Sequence, residues 1–115
     1  TLASVECGTG GLLGGRLSTI GAMFRGGLTV SDLPLDLASA IDAANKLRVT
    51  QASDLALSVS VGRTPDGSGL KLVVALTGLA TPATIERGFG GHAALAAQWA
   101  STAALGLVWR QLKGD

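Results

Sequence analysis

The only cysteine of the chain, Cys7, stands where an apolar run meets a glycine-rich turn, and this placement could support chemistry. Cys7 follows Glu6 and precedes the turn Gly-Thr-Gly-Gly at residues 8–11, after which a helical pattern begins. A thiol beside a helix N-terminus is favoured as the thiolate, which is the nucleophilic form of cysteine. Cysteine is also a small apolar residue that suits a tight corner. The residues leave both roles open, as nucleophile or as packing.

The turn after Cys7 has the residue types of an anion site. Its members are Gly8, Thr9, Gly10 and Gly11. Unpaired backbone amides at a helix start, together with the helix dipole, favour a phosphate or a developing oxyanion. Glycine lets a ligand approach the backbone closely. The pattern is neither a Walker A loop nor a dinucleotide fingerprint, and corners of this kind also occur purely as packing.

A second glycine-rich loop follows another predicted strand. Its candidate ligand-binding residues are Gly62, Arg63, Pro65, Asp66 and Gly67. If the first and third strands are parallel, both turns lie at the carboxyl edge of the sheet, where open α/β sheets bind ligands. Arg63 is the best candidate for an anion contact, ahead of Arg16 and Arg25. Asp66 belongs to a Pro-Asp-Gly turn, so we expect a turn role first and a ligand contact second.

Hydrophobic periodicity and turn signals predict the elements that position these residues. Strands are expected over residues 1–5, 22–30, 53–62, 70–78 and 83–89. Helices are expected over residues 10–18 with Thr9 as N-cap, from Ser31 or Asp32 to residue 47, and over residues 92–112, stopped by Gly114. The order β-α-β-α-β-β-β-α predicts one α/β domain over residues 1–115, a three-layer α/β/α sandwich with a mixed sheet.

Composition narrows the classes of partner. The net charge of +1, without a Lys/Arg cluster, argues against nucleic acid. One cysteine and no visible signal peptide favour the cytoplasm, and we expect neither a metal nor a cofactor. Residues 93–109 carry no charge but are short for a membrane span, so we expect no membrane partner. Trp99 and Trp109 in this helix are either core residues or anchors of a subunit contact, and the apolar helix favours a homo-oligomer.

The chain resembles the C-terminal domain of the CinA (competence/damage-inducible) family, whose active members are nicotinamide-nucleotide amidases. The family motif Glu-Ser-Cys-Thr-Gly-Gly corresponds to Glu-Cys-Gly-Thr-Gly-Gly at residues 6–11. Val-Ser-Glu before a long helix corresponds to Val-Ser-Asp at residues 30–32. The family loop Gly-Ile-Ala-Gly-Pro-x-Gly-Gly corresponds to the loop containing Gly62, Pro65, Asp66 and Gly67. The resemblance spans nearly the whole chain and implies the same three-layer fold.

The resemblance implies amide hydrolysis of nicotinamide mononucleotide, with Cys7 in the place of the family's nucleophilic serine and Gly8 in that of its cysteine. The chain departs from the family elsewhere. It has no tyrosine, and the family's Tyr-Ser-Asn-Glu-Ala-Lys segment is missing after the second strand. Arginines near the start of the family's last helix correspond here to Ala93, Ala97 and Gln98, and no residues of this sequence correspond to the family's helix before the first strand.

Three functions therefore remain open. The first is an amidohydrolase acting through Cys7, which needs a base to activate the thiol and an acid for the leaving amine. Glu6 adjoins Cys7, but neighbouring strand residues point to opposite faces; His92 is the other candidate base, or a solvated helix-start residue. The second function is a catalytically silent domain that binds a small nucleotide or another anion. The third is an oligomerising or partner-binding module that uses the last helix.

Overall fold

The computed structural model describes residues 1–67, 69–89 and 93–113. Its strands are β1 (Leu2–Cys7), β2 (Phe24–Val30), β3 (Leu55–Arg63), β4 (Leu70–Thr77) and β5 (Ala83–Phe89). Its helices are α1 (Leu12–Leu17), α2 (Leu37–Gln51) and α3 (Ala93–Lys113), and a short 3-10 segment bent at Gly21 (Ser18–Met23) joins α1 to β2. The predicted order of strands and helices is confirmed. The predicted stop at Gly114 lies outside the described residues.

The five strands form one mixed sheet in the order β2-β1-β3-β4-β5. β1 is the central parallel strand, with β2 on one side and β3 on the other. β4 and β5 continue the sheet in antiparallel pairs, so residues 63–70 connect a hairpin as the Pro-Asp-Gly signal predicts. The turns after β1 and β3 consequently share one edge of the sheet.

Alternation along the strands sorts the side chains into two apolar layers. Leu57, Val59, Val74 and Leu76 face α1 and α3 and belong to the larger core. The opposite face of the sheet packs against α2 through alanine and valine side chains, which let the helix approach closely. The chain is therefore a three-layer α/β/α sandwich with a mixed sheet, as predicted.

The starts of two helices differ from the predictions. The N-cap of α1 is Gly11, with φ 89°, and not Thr9, whose hydroxyl donates to the side chain of Glu6 instead. The N-cap of α2 is Asp36, and not Ser31 or Asp32. Pro34 disfavours helical backbone at the residue before it, so the chain stays irregular until Asp36 accepts a hydrogen bond from the first turn of α2.

The last helix runs for 21 residues and packs on the sheet through its small side chains. Within the described residues, no helix is both long enough and apolar enough to cross a membrane.

Candidate functional site

The carboxyl ends of the three parallel strands bring the predicted site segments together. Cys7 is the last residue of β1 and pairs in register with Val30 of β2 and Ser60 of β3. The Gly8–Gly11 turn and the loop after β3 therefore begin side by side at this edge, which we call the carboxyl edge. The condition under which the sequence places both turns on one edge, a parallel β1 and β3, is met.

Gly8, the first residue of the first turn, lies directly against the main chain of β3. Its φ is +86°, and a Cβ at this position would lie 2.0 Å from the carbonyl oxygen of Val61. No side chain can occupy that space unless the backbone moves. Position 8 therefore cannot hold the cysteine of the family motif in this conformation, and Cys7 is the residue of the turn that can present a thiol.

The carboxylate of Glu6 ties the end of β1 to the start of α1. The side chain is 1% exposed and accepts hydrogen bonds from the Thr9 hydroxyl, the Leu13 amide (3.1 Å) and the Gly14 amide (2.7 Å). A helix start leaves its first amides without intrahelical partners, and an anion there is stabilised by both hydrogen bonds and the helix dipole. The protein's own carboxylate thus occupies the helix-start amides that the sequence predicts for an external anion.

Cys7 lies on the other face of β1 from Glu6, as strand alternation predicts. Residues of the same parity, Ala3 and Val5, pack with Val30 on the α2 side of the sheet. The Cys7 side chain is half-buried and unoxidised, and no described side chain hydrogen-bonds its sulfur. The thiol is therefore accessible at the carboxyl edge but has no base in hydrogen-bond contact among the described residues.

Two backbone amides in the first turn retain donor capacity. Gly10 and Gly11 have consecutive positive φ angles of 64° and 89°, and within the described residues their amides donate to no protein oxygen. Successive amides in such a conformation form a concave surface that suits an anion. A Cβ at Gly10 would meet nothing within 4 Å, so this part of the turn is open on the outside.

The second turn is organised by its own hydrogen bonds. The Thr64 amide donates to the Gly69 carbonyl (2.9 Å), the Gly67 amide donates to the Thr64 carbonyl (2.9 Å), and the Thr64 hydroxyl donates to Asp66 Oδ1 (2.5 Å). Asp66 thus has the turn role expected first, while Pro65 is exposed within the loop.

Gly62 and Arg63 end β3 at the carboxyl edge. A Cβ at Gly62 would make an ordinary van der Waals contact with Leu35 at 3.6 Å, so the available space does not require glycine at this position. The Arg63 side chain is exposed, and it is the arginine that the fold brings to this edge.

The other two arginines predicted as anion contacts do not lie near Arg63. Arg16 lies on α1, where it donates to the Thr102 hydroxyl of α3 at 3.1 Å. Arg25 is at the start of β2, next to the residues that pair with Leu2, and so lies at the opposite edge of the sheet. The hypothesis that Arg25 holds an anion at the glycine turns is wrong. His92 lies outside the described residues.

Glu6 is the site-forming residue whose role the sequence analysis missed. The signal that could have found it is an acidic residue and a threonine three positions apart, directly before a helical pattern. Within residues 1–67, 69–89 and 93–113, no group of three or more histidine, cysteine or acidic side chains is arranged to hold a metal ion.

These features define a three-layer α/β protein in which two glycine-rich turns meet beside a cysteine at the carboxyl ends of parallel strands. Proteins of the CinA superfamily have this fold. A structure from Enterobacter cloacae, a competence-damaged protein (CinA) superfamily protein, superposes with a TM-score of 0.83 at 18% identity, covering 96% of this chain and 81% of that chain.

Two further structures agree. A CinA superfamily protein from Escherichia coli gives a TM-score of 0.82 at 15% identity, over 96% of this chain and 79% of its own. A competence damage-inducible protein A from Klebsiella pneumoniae gives 0.80 at 16% identity, over 97% and 86%. No protein-family model matches the sequence, and no curated protein does. The resemblance to the CinA family is thus confirmed for the fold.

Proposed function

We propose that this chain is a CinA-like domain that binds a nicotinamide nucleotide or a related anionic nucleotide at its carboxyl edge and hydrolyses amides poorly or not at all. The expectation of little or no amide hydrolysis rests on the position of Glu6. Glu6 is the acidic residue adjacent to Cys7, yet its carboxylate is buried on the opposite face of β1 and accepts hydrogen bonds from Thr9 and α1.

Amide hydrolysis through a thiol needs more than the thiol. A base must take the proton as the sulfur attacks, and an acid must protonate the departing amine. Cys7 has the position of a nucleophile at a strand end, but no described side chain hydrogen-bonds it. The chain also contains no tyrosine, so the tyrosine that the family resemblance implies for the active site is missing.

Ligand binding requires less than catalysis does. The Gly10 and Gly11 amides can donate to an anion, and Arg63 adds an exposed positive charge from the neighbouring strand. Arg–phosphate hydrogen bonds are charge-assisted and stronger than neutral ones. By strand alternation Arg63 follows Val59 and Val61 on the face opposite Cys7, so a nucleotide whose phosphate contacts Arg63 would cross the carboxyl edge to bring its nicotinamide ring near Cys7.

The experiment combines turnover with binding. Ammonia release from nicotinamide mononucleotide is measured at high protein concentration for the wild type and Cys7→Ala, and thermal unfolding is followed with and without the nucleotide. Ligand at ten times its Kd stabilises the folded state by about 1.4 kcal/mol, which is a measurable rise in Tm. Arg63→Ala should lower that rise, while Arg25→Ala, an exposed arginine at the opposite edge, should leave it unchanged.

The outcomes separate the hypotheses. Stabilisation by the nucleotide without ammonia release supports the proposal. Ammonia release that disappears in Cys7→Ala contradicts it and makes Cys7 a working nucleophile. Absence of both turnover and stabilisation contradicts the ligand class.

A further inference from the structure

The outer side of α3 is an exposed helix surface that two arginines reach from its margins: Arg16 donates to Thr102, and the Arg110 guanidinium lies beside Gly106. The inner side packs in the core through Ala96, Ala100, Ala104 and Leu107. From Ala93 to Trp109 the helix carries no charged residue on any side. A helix face in permanent contact with water normally carries charged residues, and a helix that is apolar all round is normally covered. The outer side of α3 therefore has the composition of a contact surface.

Five residues on that side form a continuous stripe, which we call the α3 stripe. They are Leu95, Trp99, Thr102, Gly106 and Trp109. Their spacing alternates between four and three residues, which is the spacing of a helix–helix seam. Leu95, Trp99 and Trp109 are 44%, 47% and 64% exposed, so large apolar groups stand at both ends of the stripe. Small residues occupy its middle.

We propose that the α3 stripe pairs with the α3 stripe of a second copy of this chain, antiparallel and about a two-fold axis near residue 104. The stripe is symmetric about that residue. Thr102 and Gly106 lie two positions away on either side, and Trp99 and Trp109 lie five positions away. An isologous contact requires a surface that is complementary to itself after reversal, and this arrangement satisfies the requirement.

The residue sizes fit such a crossing. Helices pack with axes 8–10 Å apart, and the distance is shortest where side chains are small. Thr102 would face Gly106 of the partner subunit at the crossing. At 1.5 Å per residue, each tryptophan lies about 7.5 Å from the crossing, so Trp99 would stand level with Trp109 of the partner subunit. Two aromatic rings at the same level of an interface stabilise it through offset or edge-to-face contacts when their centroids are about 4.5–7 Å apart.

Each end of the stripe also borders a groove. A groove of about 390 Å³ lies beside Trp99, against Leu72, Ala103 and the side of Arg87. A more apolar groove of about 610 Å³ lies beside Trp109, against Leu2 and Leu55. The reversal that aligns the two stripes brings each tryptophan of one copy to a groove of the other, so both copies supply an anchor and a recess at each end.

The exposed apolar area reaches the lower limit of a biological interface. With about 250 Å² for a whole tryptophan, the exposed fractions of Trp99 and Trp109 correspond to roughly 280 Å² per copy, or about 560 Å² for two. Leu95, the first residue of the stripe, is 44% exposed, and Leu112 and Met23, which line the groove beside Trp109, are 61% and 58% exposed. Together these side chains bring the two copies to the roughly 1,000 Å² that a biological interface must exceed.

When a second copy covers the α3 stripe, the Thr102 hydroxyl at its centre still has a hydrogen-bond partner. The Thr102 Oγ1 accepts a hydrogen bond from Arg16 at 3.1 Å within the same chain. Burial of Thr102 in a contact therefore does not strand an unpaired polar group, which would otherwise cost about 1–3 kcal/mol. The guanidinium of Arg16 is thereby part of the contact, because it is the group that donates to Thr102.

The first test is the oligomeric state, measured by sedimentation over a range of protein concentrations. We expect a dimer in the wild type and a monomer in Thr102→Glu, because the new carboxylate would be buried in the crossing. Asn45→Glu, which adds the same charge to the exposed side of α2, is the matched control and should remain dimeric. Circular dichroism checks that each variant is folded.

The register has its own test. Gly106→Lys should also be monomeric, because the long side chain would stand in the crossing. The variant can fold, since among the described residues the only side chain near a Cβ at Gly106 is the flexible Arg110 guanidinium, at 3.5 Å. A mixture of Thr102→Glu and Gly106→Lys proteins should restore dimers, since residue 102 of one copy faces residue 106 of the other. Dimers that persist in Thr102→Glu alone, or a mixture that stays monomeric, overturn the proposed register.

A measurement on the unmodified protein completes the test. Trp99 and Trp109 are its only tryptophans, so fluorescence reports on the stripe alone. The emission should shift to shorter wavelength, and iodide quenching should fall, as the concentration rises through the dimer Kd. A wild type that stays monomeric, with both tryptophans accessible at every concentration, overturns the proposal and leaves the stripe to a different protein.

Discussion

Replacing Glu6 by glutamine should destabilise the protein strongly although the two side chains have nearly the same shape. In the wild type, Oε1 accepts from Thr9 and from the Leu13 amide, and Oε2 accepts from the Gly14 amide at 2.7 Å. Glutamine can keep one oxygen in this arrangement. Its amide nitrogen must then face a donor, either at the Gly14 position or at the other two.

The size of the effect follows from these contacts. Hydrogen bonds to a charged group contribute about 1.5–3 kcal/mol, against about 1 kcal/mol for neutral ones, and a buried donor without an acceptor costs a further 1–3 kcal/mol. Glu6→Gln loses the charge on every bond and strands at least one donor. We expect the free energy of unfolding to fall by about 3 kcal/mol, which corresponds to a Tm lower by roughly 10 °C for a domain of this length.

Urea unfolding measures this change, with Glu86→Gln as the control. Glu86 is also a carboxylate in a polar contact, 3.0 Å from Lys71, but it is exposed, so its loss should cost less than about 1 kcal/mol. Amide hydrogen exchange gives a second readout: Leu13 and Gly14 should lose protection selectively in Glu6→Gln. If the two variants unfold at the same urea concentration, the carboxylate does not hold α1 and the reasoning is refuted.

Three further predictions concern backbone geometry and capping, and thermal or urea unfolding measures each. Gly8→Ala should lower the free energy of unfolding by about 3 kcal/mol or more, because the new Cβ would lie 2.0 Å from a main-chain oxygen of β3. Gly10→Ala should lower it by only about 1–2 kcal/mol, because the new Cβ meets no atom and only the positive φ is strained. Equal losses in the two variants would contradict the close approach at Gly8. Gly15→Ala should stabilise α1 by up to about 1 kcal/mol, because alanine favours a helix and a Cβ at Gly15 meets no atom. Gly14→Ala should stabilise it by less, because a Cβ at Gly14 would lie 3.1 Å from the carboxylate oxygen Oε2 of Glu6. A larger gain at Gly14 than at Gly15 would argue against that contact. Asp36→Asn should be less stable than the wild type at pH 7, because the hydrogen bond from a first-turn amide of α2 lowers the pKa of Asp36 below its ordinary 3.8. The stability that the ionised cap contributes is present above pH 3.8 and is lost as the pH falls through the lowered pKa, so the two proteins should converge in acid, and a gap that persists there would exclude the charge as its cause.

The strands could be predicted well because their patterns are strong and local. The continuous apolar run of β4 has the pattern of a strand buried on both faces, and it is buried on both. The start of α2 could not be placed as well, because Ser31, Asp32 and Asp36 are all acceptable N-caps by residue type. The choice depends on Pro34 and on which side chain reaches the first-turn amides, and that information is geometric.

The candidate site was predictable in position and not in its internal hydrogen bonds. The sequence named the edge on the condition that β1 and β3 are parallel, and their parallel pairing brings Cys7 and Arg63 to that edge. The same sequence signal, a glycine turn before a helix, predicted open helix-start amides. Glu6 fills them because it lies one residue before Cys7 on the face toward α1. Alternation along the strand indicated that the two side chains diverge, but not what the carboxylate would bind.

The same alternation separates the two proposed functions in space. Cys7 is on the α2 face of the sheet, with Val5, whereas the α3 stripe lies on the outside of the opposite layer. Pairing of two copies through Thr102 and Gly106 would therefore leave the thiol accessible. Thr102→Glu should abolish the dimer and keep the stabilisation by nucleotide, while Arg63→Ala should weaken that stabilisation and keep the dimer. A variant that loses both properties would show that the edge and the stripe are coupled, and that two copies are needed to form the ligand site.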